Sequence, residues 1–281
     1  MQDLKGKTVV VTGGSEGVGA ATARKFADAG ANLVLVARGK KNLDKIAEEL
    51  RGKTGVLTIA MDVSDTDACV NLFKKAEFEF GSVDILVNNA GYHARGLAEN
   101  VSAENLGRMI DVNLKAPIVL SRLAIPYLRN AAGGAAIINV ASLAGRTPVR
   151  GAAAYSASKF GLRAFTFALA EELRDSNIKM AAVSPGPIDT GFIMSNIDVV
   201  ADIVFSQPMS TAEQVADEIM KLCVNSKRER SMPPISGGLT MLSYLFPWLG
   251  RIIQPMLDRR GRRIKRQLKL AMVAKEKPTS S

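Results

Sequence analysis

Residues 7–38 read KTVVVTGGSEGVGAATARKFADAGANLVLVAR. Thr8–Val11 is an apolar, β-branched run that suits a strand. A glycine-rich turn leads into Ala20–Ala29, an alanine-rich stretch that should form a helix stopped by Gly30. Asn32–Ala37 is apolar without polar alternation, the mark of a strand covered on both faces. A helix between two such strands returns the chain to the same end of the sheet, so the strands must run parallel.

The alternation continues outward from this unit. Leu43–Leu50 reads as a helix and Val56–Ala60 as a third strand, and Ser64 with Asp67 reads as a capping pair for a helix reaching about Phe80. Asp84–Asn88, Ala136–Val140 and Lys179–Val183 supply strands four to six, separated by helical segments within Ser102–Asn130 and Ala153–Arg174. This order predicts an α/β fold, a doubly wound parallel sheet.

Composition narrows the function. The 281 residues are 47% hydrophobic and 23% charged, which excludes disordered and collagen-like classes. Aromatics are only 5% against 24 glycines, which suits close helix–sheet packing better than an all-β sandwich. Cys69 and Cys223 have no CxxC spacing, so a disulfide framework and a cysteine-rich zinc site are excluded. His93 is the single histidine, which rules out sites built on two imidazoles; no metal is expected. Met1–Gly6 reads as a polar stub and not as a secretory signal, so a cytosolic or cytosol-facing location is expected. The net charge of +10 is uneven: Arg251–Ser281 holds ten Lys/Arg and two acids, leaving about +2 for the rest.

The first strand runs into Thr12-Gly13-Gly14-Ser15-Glu16-Gly17-Val18-Gly19 and then directly into a helix. Glycines permit a tight turn there, and the helix N-terminus offers free N–H groups and a positive dipole to a pyrophosphate. The spacing TGxxxGxG differs from the general GxGxxG fingerprint, but its place between first strand and first helix is that of a dinucleotide site. Such sites usually end the second strand with Asp or Glu for the ribose 2′-hydroxyl. Here Ala37-Arg38-Gly39-Lys40-Lys41 presents an arginine suited to a 2′-phosphate, which favours NADP(H) over NAD(H). Glu16 is a mild contrary feature, as its charge opposes a phosphate.

Tyr155-Ser156-Ala157-Ser158-Lys159 opens a helical stretch, and the i,i+4 spacing puts Tyr155 and Lys159 on one face. A neighbouring ammonium should draw the tyrosine pKa down toward working pH, making it a proton donor to a carbonyl or acceptor from an alcohol. Ser142, at the end of the fifth strand, could hold the same oxygen.

With these motifs in hand, the sequence resembles the classical short-chain dehydrogenase/reductase (SDR) family, over about residues 5–225. The resemblance rests on TGGSEGVG (12–19), Asp62-Val63, NNAG (88–91), Asn113, Ser142, YSASK (155–159) and SPGPIDT (184–190). It implies a single Rossmann-fold domain and a tetrad of Asn113, Ser142, Tyr155 and Lys159. Tyr155 would act as general acid/base, Lys159 would lower its pKa and bind the nicotinamide ribose, Ser142 would orient the carbonyl, and Asn113 would hold a water linking Lys159 to solvent. It implies further that Gly13, Ser15, Gly17, Val18 and Gly19 cradle the cofactor. Asp62 and Val63 would lie at the adenine and Asn89 near the adenosine ribose, with Ala90 and Gly91 also binding the cofactor. Pro185, Gly186, Ile188 and Thr190 would line the nicotinamide and pyrophosphate. His93 could touch substrate, but it reads rather as a polar loop residue at a sheet edge. In the family the Ala153–Leu173 helix packs on its copy, so a homodimer or homotetramer is expected.

On this reading, residues 1–230 form the catalytic domain and 231–281 an extension. The family's substrate lid falls on 191–208, which is unusually apolar (Phe192, Ile193, Met194, Ile197, Val199, Val200, Ile203, Val204, Phe205), as a lipophilic substrate would require. Acyl, sphingoid, steroid and retinoid ketones or alcohols all remain open, and a cofactor-sensing regulator that uses its basic tail on a partner is the alternative. Met232–Gly250 carries no charge but is broken by Pro233, Pro234, Gly237, Gly238 and Pro247, against a spanning helix. In Arg251–Leu270, Ile253, Leu257, Ile264 and Leu268 recur at helical spacing among dense cations. Residues 232–270 therefore read as a peripheral contact with an anionic membrane, with oligomer packing as the competing reading. Nucleic acid is a poor partner, because the adjoining apolar stretch would serve no purpose.

Overall fold

The computed structural model describes residues 3–195 and 197–276. Seven parallel strands form one sheet: β1 (Thr8–Thr12), β2 (Asn32–Ala37), β3 (Val56–Ala60), β4 (Ile85–Asn88), β5 (Ala135–Val140), β6 (Ile178–Pro185) and β7 (Glu229–Met232). Their order is β3-β2-β1-β4-β5-β6-β7. The apolar runs are buried on both faces because alternate residues feed two cores. Val9, Val11, Leu33 and Leu35 point into one, which is closed by α1 (Gly17–Asp28), α2 (Lys40–Leu50) and α9 (Ala212–Val224). Val10, Val34 and Val36 point into the other, beneath α3 (Thr66–Val70), α4 (Leu72–Phe80), α6 (Ala116–Arg129) and α7 (Ala153–Glu172).

Three local expectations are corrected. Asp65, and not Ser64, caps the helix after β3, accepting from the amides of Asp67 and Ala68, while Ser64 bonds Asp62. That helix breaks at Asn71 into α3 and α4. Between α5 (Ala103–Ile110) and α6, residues Asp111–Lys115 widen into one π-helical turn, a rare device that often marks a functional position.

Beyond β6 the chain makes α8 (Gly191–Met194) and a 3₁₀ turn (Asp202–Ser206). Beyond β7, which crosses position 230 and so carries the sheet into the expected extension, come α10 (Pro234–Leu245) and the long α11 (Pro247–Glu276). Among the described residues no helix is long and apolar enough to cross a membrane. Ile193, Ile197, Val200 and Phe205 of the lid make a third core, against which Ile264, Leu268 and Met272 of α11 pack.

Candidate active site

The strand order reverses between β1 and β4, which opens a crevice at the C-terminal ends of the strands. A cleft of about 1910 Å³ starts there and runs from the glycine turn, past Tyr155, to the lid and the facing sides of α10 and α11. All of the site residues expected from sequence line it except Gly19 and Asn113, which are buried behind it.

Glu16 precedes α1 without a side-chain cap, so the first amides of that helix remain unsatisfied beside the cleft. Gly13 is left-handed at φ +66°, and a methyl group at Gly19 would run into the Gly13 carbonyl and the Asn89 side chain. Asn89 Nδ2 donates to the carbonyls of Thr12 (2.9 Å) and Gly13 (3.2 Å). Its backbone N–H and that of Ala90 both donate to Thr12 Oγ1, at 3.0 and 3.1 Å. Asn89 therefore fastens the glycine turn to the end of β4. An uncapped helix start above a cradle that any Cβ would fill fits the pyrophosphate of a nicotinamide dinucleotide.

Arg38 stands exposed at the end of β2 and forms no ion pair with a described carboxylate, whereas nearby Lys40 is held by Asp44 at 2.6 Å. Asp62 accepts from Ser64 and, at 2.9 Å, from Arg108 Nη2. Burial alone would raise its pKa, but the Ser64 bonds and the Arg108 and Arg38 charges hold it below the ordinary range. Arg108 also lines the cleft. Its local sequence shows only an amphipathic helix, so its place became visible only in three dimensions.

Ser142 leaves β5 and accepts the Ala144 amide at 3.1 Å, which fixes its hydroxyl at the cleft. Lys159, one turn along α7 from Tyr155, is buried, and its Nζ donates to the Val140 carbonyl at 2.8 Å. Burial lowers its pKa to about 8. The ammonium lies 5.9 Å from the Tyr155 ring centroid. Tyr155 departs from expectation. Burial pushes its phenol above the ordinary value, and the forces pulling the other way are the Ser142 hydroxyl and the Arg95 charge. Lys159 keeps its charge while donating to the Val140 carbonyl, and it is not among the groups that move the phenol here.

Asn113, in the π-helical turn, is fully buried. Its Oδ1 accepts from Tyr92 N (2.8 Å), and its Nδ2 donates to Tyr92 O (2.8 Å) and Ser158 Oγ (3.2 Å). It ties the loop after β4 to α7, beneath Lys159.

His93 is a cleft residue and not an edge residue. Its ring stacks on Tyr155 with centroids 4.1 Å apart and planes 10° apart. Burial, with the charges of Arg95 and Lys159, pushes its pKa down to about 3, so the imidazole is neutral in use, and its buried Nε2 has no hydrogen-bond partner among the described residues. Arg95 donates to the Phe192 carbonyl at 2.9 Å and lies over the Phe192 ring, which pins the lid to the loop after β4. The position two residues after NNAG was a usable signal for His93; none marked Arg95.

Among known proteins, the chain is 32% identical over 266 residues to a ketoacyl reductase of Nostoc, which spans 92% of this chain and 89% of that protein. It is 40% identical over 192 residues to 3beta-hydroxysteroid dehydrogenase 1 of Eggerthella lenta (67% of this chain, 73% of that one). It is 36% identical over 187 residues to sulfoacetaldehyde reductase 2 of Chromohalobacter salexigens (66% and 74%). The family model of the short chain dehydrogenases matches residues 7–199. That match takes in more than half of the sequence, from β1 through the tetrad to the lid, and the chain belongs to the short-chain dehydrogenases, oxidoreductases that act on CH–OH and C=O groups with a nicotinamide cofactor.

Proposed function

We propose that the protein is an NADP(H)-dependent oxidoreductase that interconverts a ketone and a secondary alcohol on a lipophilic molecule. The observation that carries this reading is the position of Tyr155 in a cleft whose far half is lined mostly by apolar side chains, among them Phe192, Val199 and Ile203 of the lid and Leu239, Ile253 and Leu257 of the extension, with Asp202, Gln254 and Asp258 at the same end. A ketoacyl or steroid skeleton would fill that half, whereas a small anion such as sulfoacetaldehyde would leave most of it empty.

The cofactor supplies or accepts the hydride. In the reductive direction the phenol of Tyr155 gives its proton to the carbonyl oxygen, and Ser142 holds that oxygen by a second hydrogen bond. Burial raises the phenol pKa, which keeps Tyr155 protonated as the acid role requires. Lys159 holds positive charge near it, and Asn113 anchors the side chain of Ser158, the residue before Lys159 on α7. Arg38 stands free where a ribose 2′-phosphate would lie, which supports NADP(H).

The test is a panel of medium- and long-chain ketones, β-hydroxysteroids and short polar aldehydes, each followed by absorbance of the reduced cofactor with NADPH and with NADH. Turnover confined to the lipophilic members with NADPH is expected. Preferential turnover of the short polar aldehydes would overturn the substrate class, and equal use of NADH would overturn the cofactor assignment.

A further inference from the structure

We propose that α10 and α11 dock on an anionic lipid bilayer, and that the substrate cleft opens onto the docked face. The observation is a division of α11 that its sequence pattern does not reveal. The stripe Ile253, Leu257, Ile264 and Leu268 faces inward: the first two residues line the cleft, and the last two pack on the lid. Lipid contact therefore falls to the opposite face. There Trp248, Ile252, Met256, Arg259, Arg263 and Arg266 follow one another at spacings of four or three residues, so they share one side of the helix. Trp248, Ile252 and Met256 are 61%, 68% and 64% exposed, and the three arginines are exposed too. On α10, Ile235, Leu239, Leu242 and Leu245 make a second exposed stripe at helical spacing, with Ile235 at 79%.

Charge chooses the occupant. Arg259, Arg263 and Arg266 form no ion pair with a described carboxylate, whereas Arg262 and Lys265 are drawn to Asp202, and Lys269 to Asp198. Cations that bind the protein's own lid are thus distinguished from cations left facing outward beside exposed apolar side chains. A second copy meeting this face about a twofold axis would bring the same unpaired arginines together. An anionic headgroup layer over hydrocarbon matches both halves of the face, the guanidinium row and the apolar row. Continuity with the cleft is the second argument: Leu239, Leu242 and Met256 are exposed on this face and also line the cavity that reaches Tyr155. A lipophilic substrate can pass between bilayer and cleft without crossing water.

Trp248 is the chain's single tryptophan and lies in the proposed contact, so the full-length protein carries its own reporter. It would be mixed at low salt with vesicles of phosphatidylcholine alone, and with vesicles of equal parts phosphatidylcholine and phosphatidylglycerol, for flotation and emission spectra. Flotation with the anionic vesicles only, with a blue shift of Trp248, is expected. Replacing Arg259, Arg263 and Arg266 together by Gln should weaken binding by about 100-fold, as expected of basic residues at an anionic surface. Ile252→Asp should abolish the blue shift while leaving those arginines in place. Failure to float with either vesicle overturns the proposal. So does an emission already blue without lipid in a sedimenting dimer, which would assign the face to a second copy, and so does flotation that both variants leave unchanged. None of these readouts uses turnover, so they stand apart from the fate of the substrate assignment.

Discussion

Tyr155 is a buried, protonated phenol beside Ser142, so its removal should strike chemistry and spare cofactor binding. Tyr155→Phe is expected to lower turnover at least about 100-fold, the scale of a lost general acid, with the nucleotide dissociation constant held within a few-fold; quenched-flow turnover and fluorescence titration check both. Arg38 acts through charge. Arg38→Asp should reverse or abolish the NADP(H) preference, since one charge-assisted contact of about 1.5–3 kcal/mol is worth tenfold or more in kcat/KM. His93 makes a statement about acid. Its folded pKa is about 3 against the ordinary 6.5, so as pH falls through that window the unfolded chain takes up a proton that the folded one refuses. Stability is complete above about pH 6.5 and is lost on the way down toward 3. His93→Phe keeps a ring against Tyr155 and should flatten this part of the curve, as thermal unfolding between neutral pH and about pH 4 would reveal. Of these residues, Tyr155, Ser142 and Lys159 were legible because their spacing follows one helix and one strand end. Arg95, Arg108 and the stacking of His93 were not, because they reach the cleft from a loop and a helix whose own patterns say only loop and helix.

The lid and α11 depend on a single glycine. Gly261 is buried, and a β-carbon there would collide with the backbone of Asp202 in the lid. In an exposed helix Gly→Ala gains about 1 kcal/mol. Here the added methyl meets backbone, which cannot swing aside as a side-chain end can, and overpacking of about 1–3 kcal/mol should win. Gly261→Ala is therefore expected to loosen α11 and to speed limited proteolysis of the extension, while the main unfolding transition of the sheet stays put. An unchanged digestion rate would mean that the two segments part without cost. Elements with strong patterns read well from sequence: the apolar strands emerged in their places because burial on both faces leaves a continuous run. The break at Asn71 and the π-helical turn around Asn113 did not, since each depends on how neighbouring elements crowd the helix. The inward stripe of α11 was visible, but its partner was misassigned. A helix's apolar side looks alike whether it meets lipid or another part of the same chain.

Seen entire, the molecule has a cleft floored by the family's common sheet and roofed by segments outside the matched residues 7–199. Ending the chain after Gly250 should leave nucleotide affinity intact, because the glycine turn, Arg38 and Asp62 do not touch α11. It should also raise KM for long-chain substrates much more than for short ones, because Ile253 and Leu257 go with the roof. Equal KM effects on both would separate the extension from substrate binding. The alternation of strands and helices was readable because the doubly wound fold has a strict grammar of alternating runs; the edge strand β7 was not, because Glu229–Met232 is no apolar run, and neither was the roof, because its contacts join residues about sixty positions apart with no shared period. One consequence follows from the way Asp198 and Asp202 are bound to Lys269, Arg262 and Lys265. The lid is not a free flap but the short arm of a lever, whose long arm is a helix of 30 residues, about 45 Å of rod. Any small rotation of the short arm would be magnified along that rod into a sweep of its distant end, and whatever obstructs the end would restrain the segment beside the cleft.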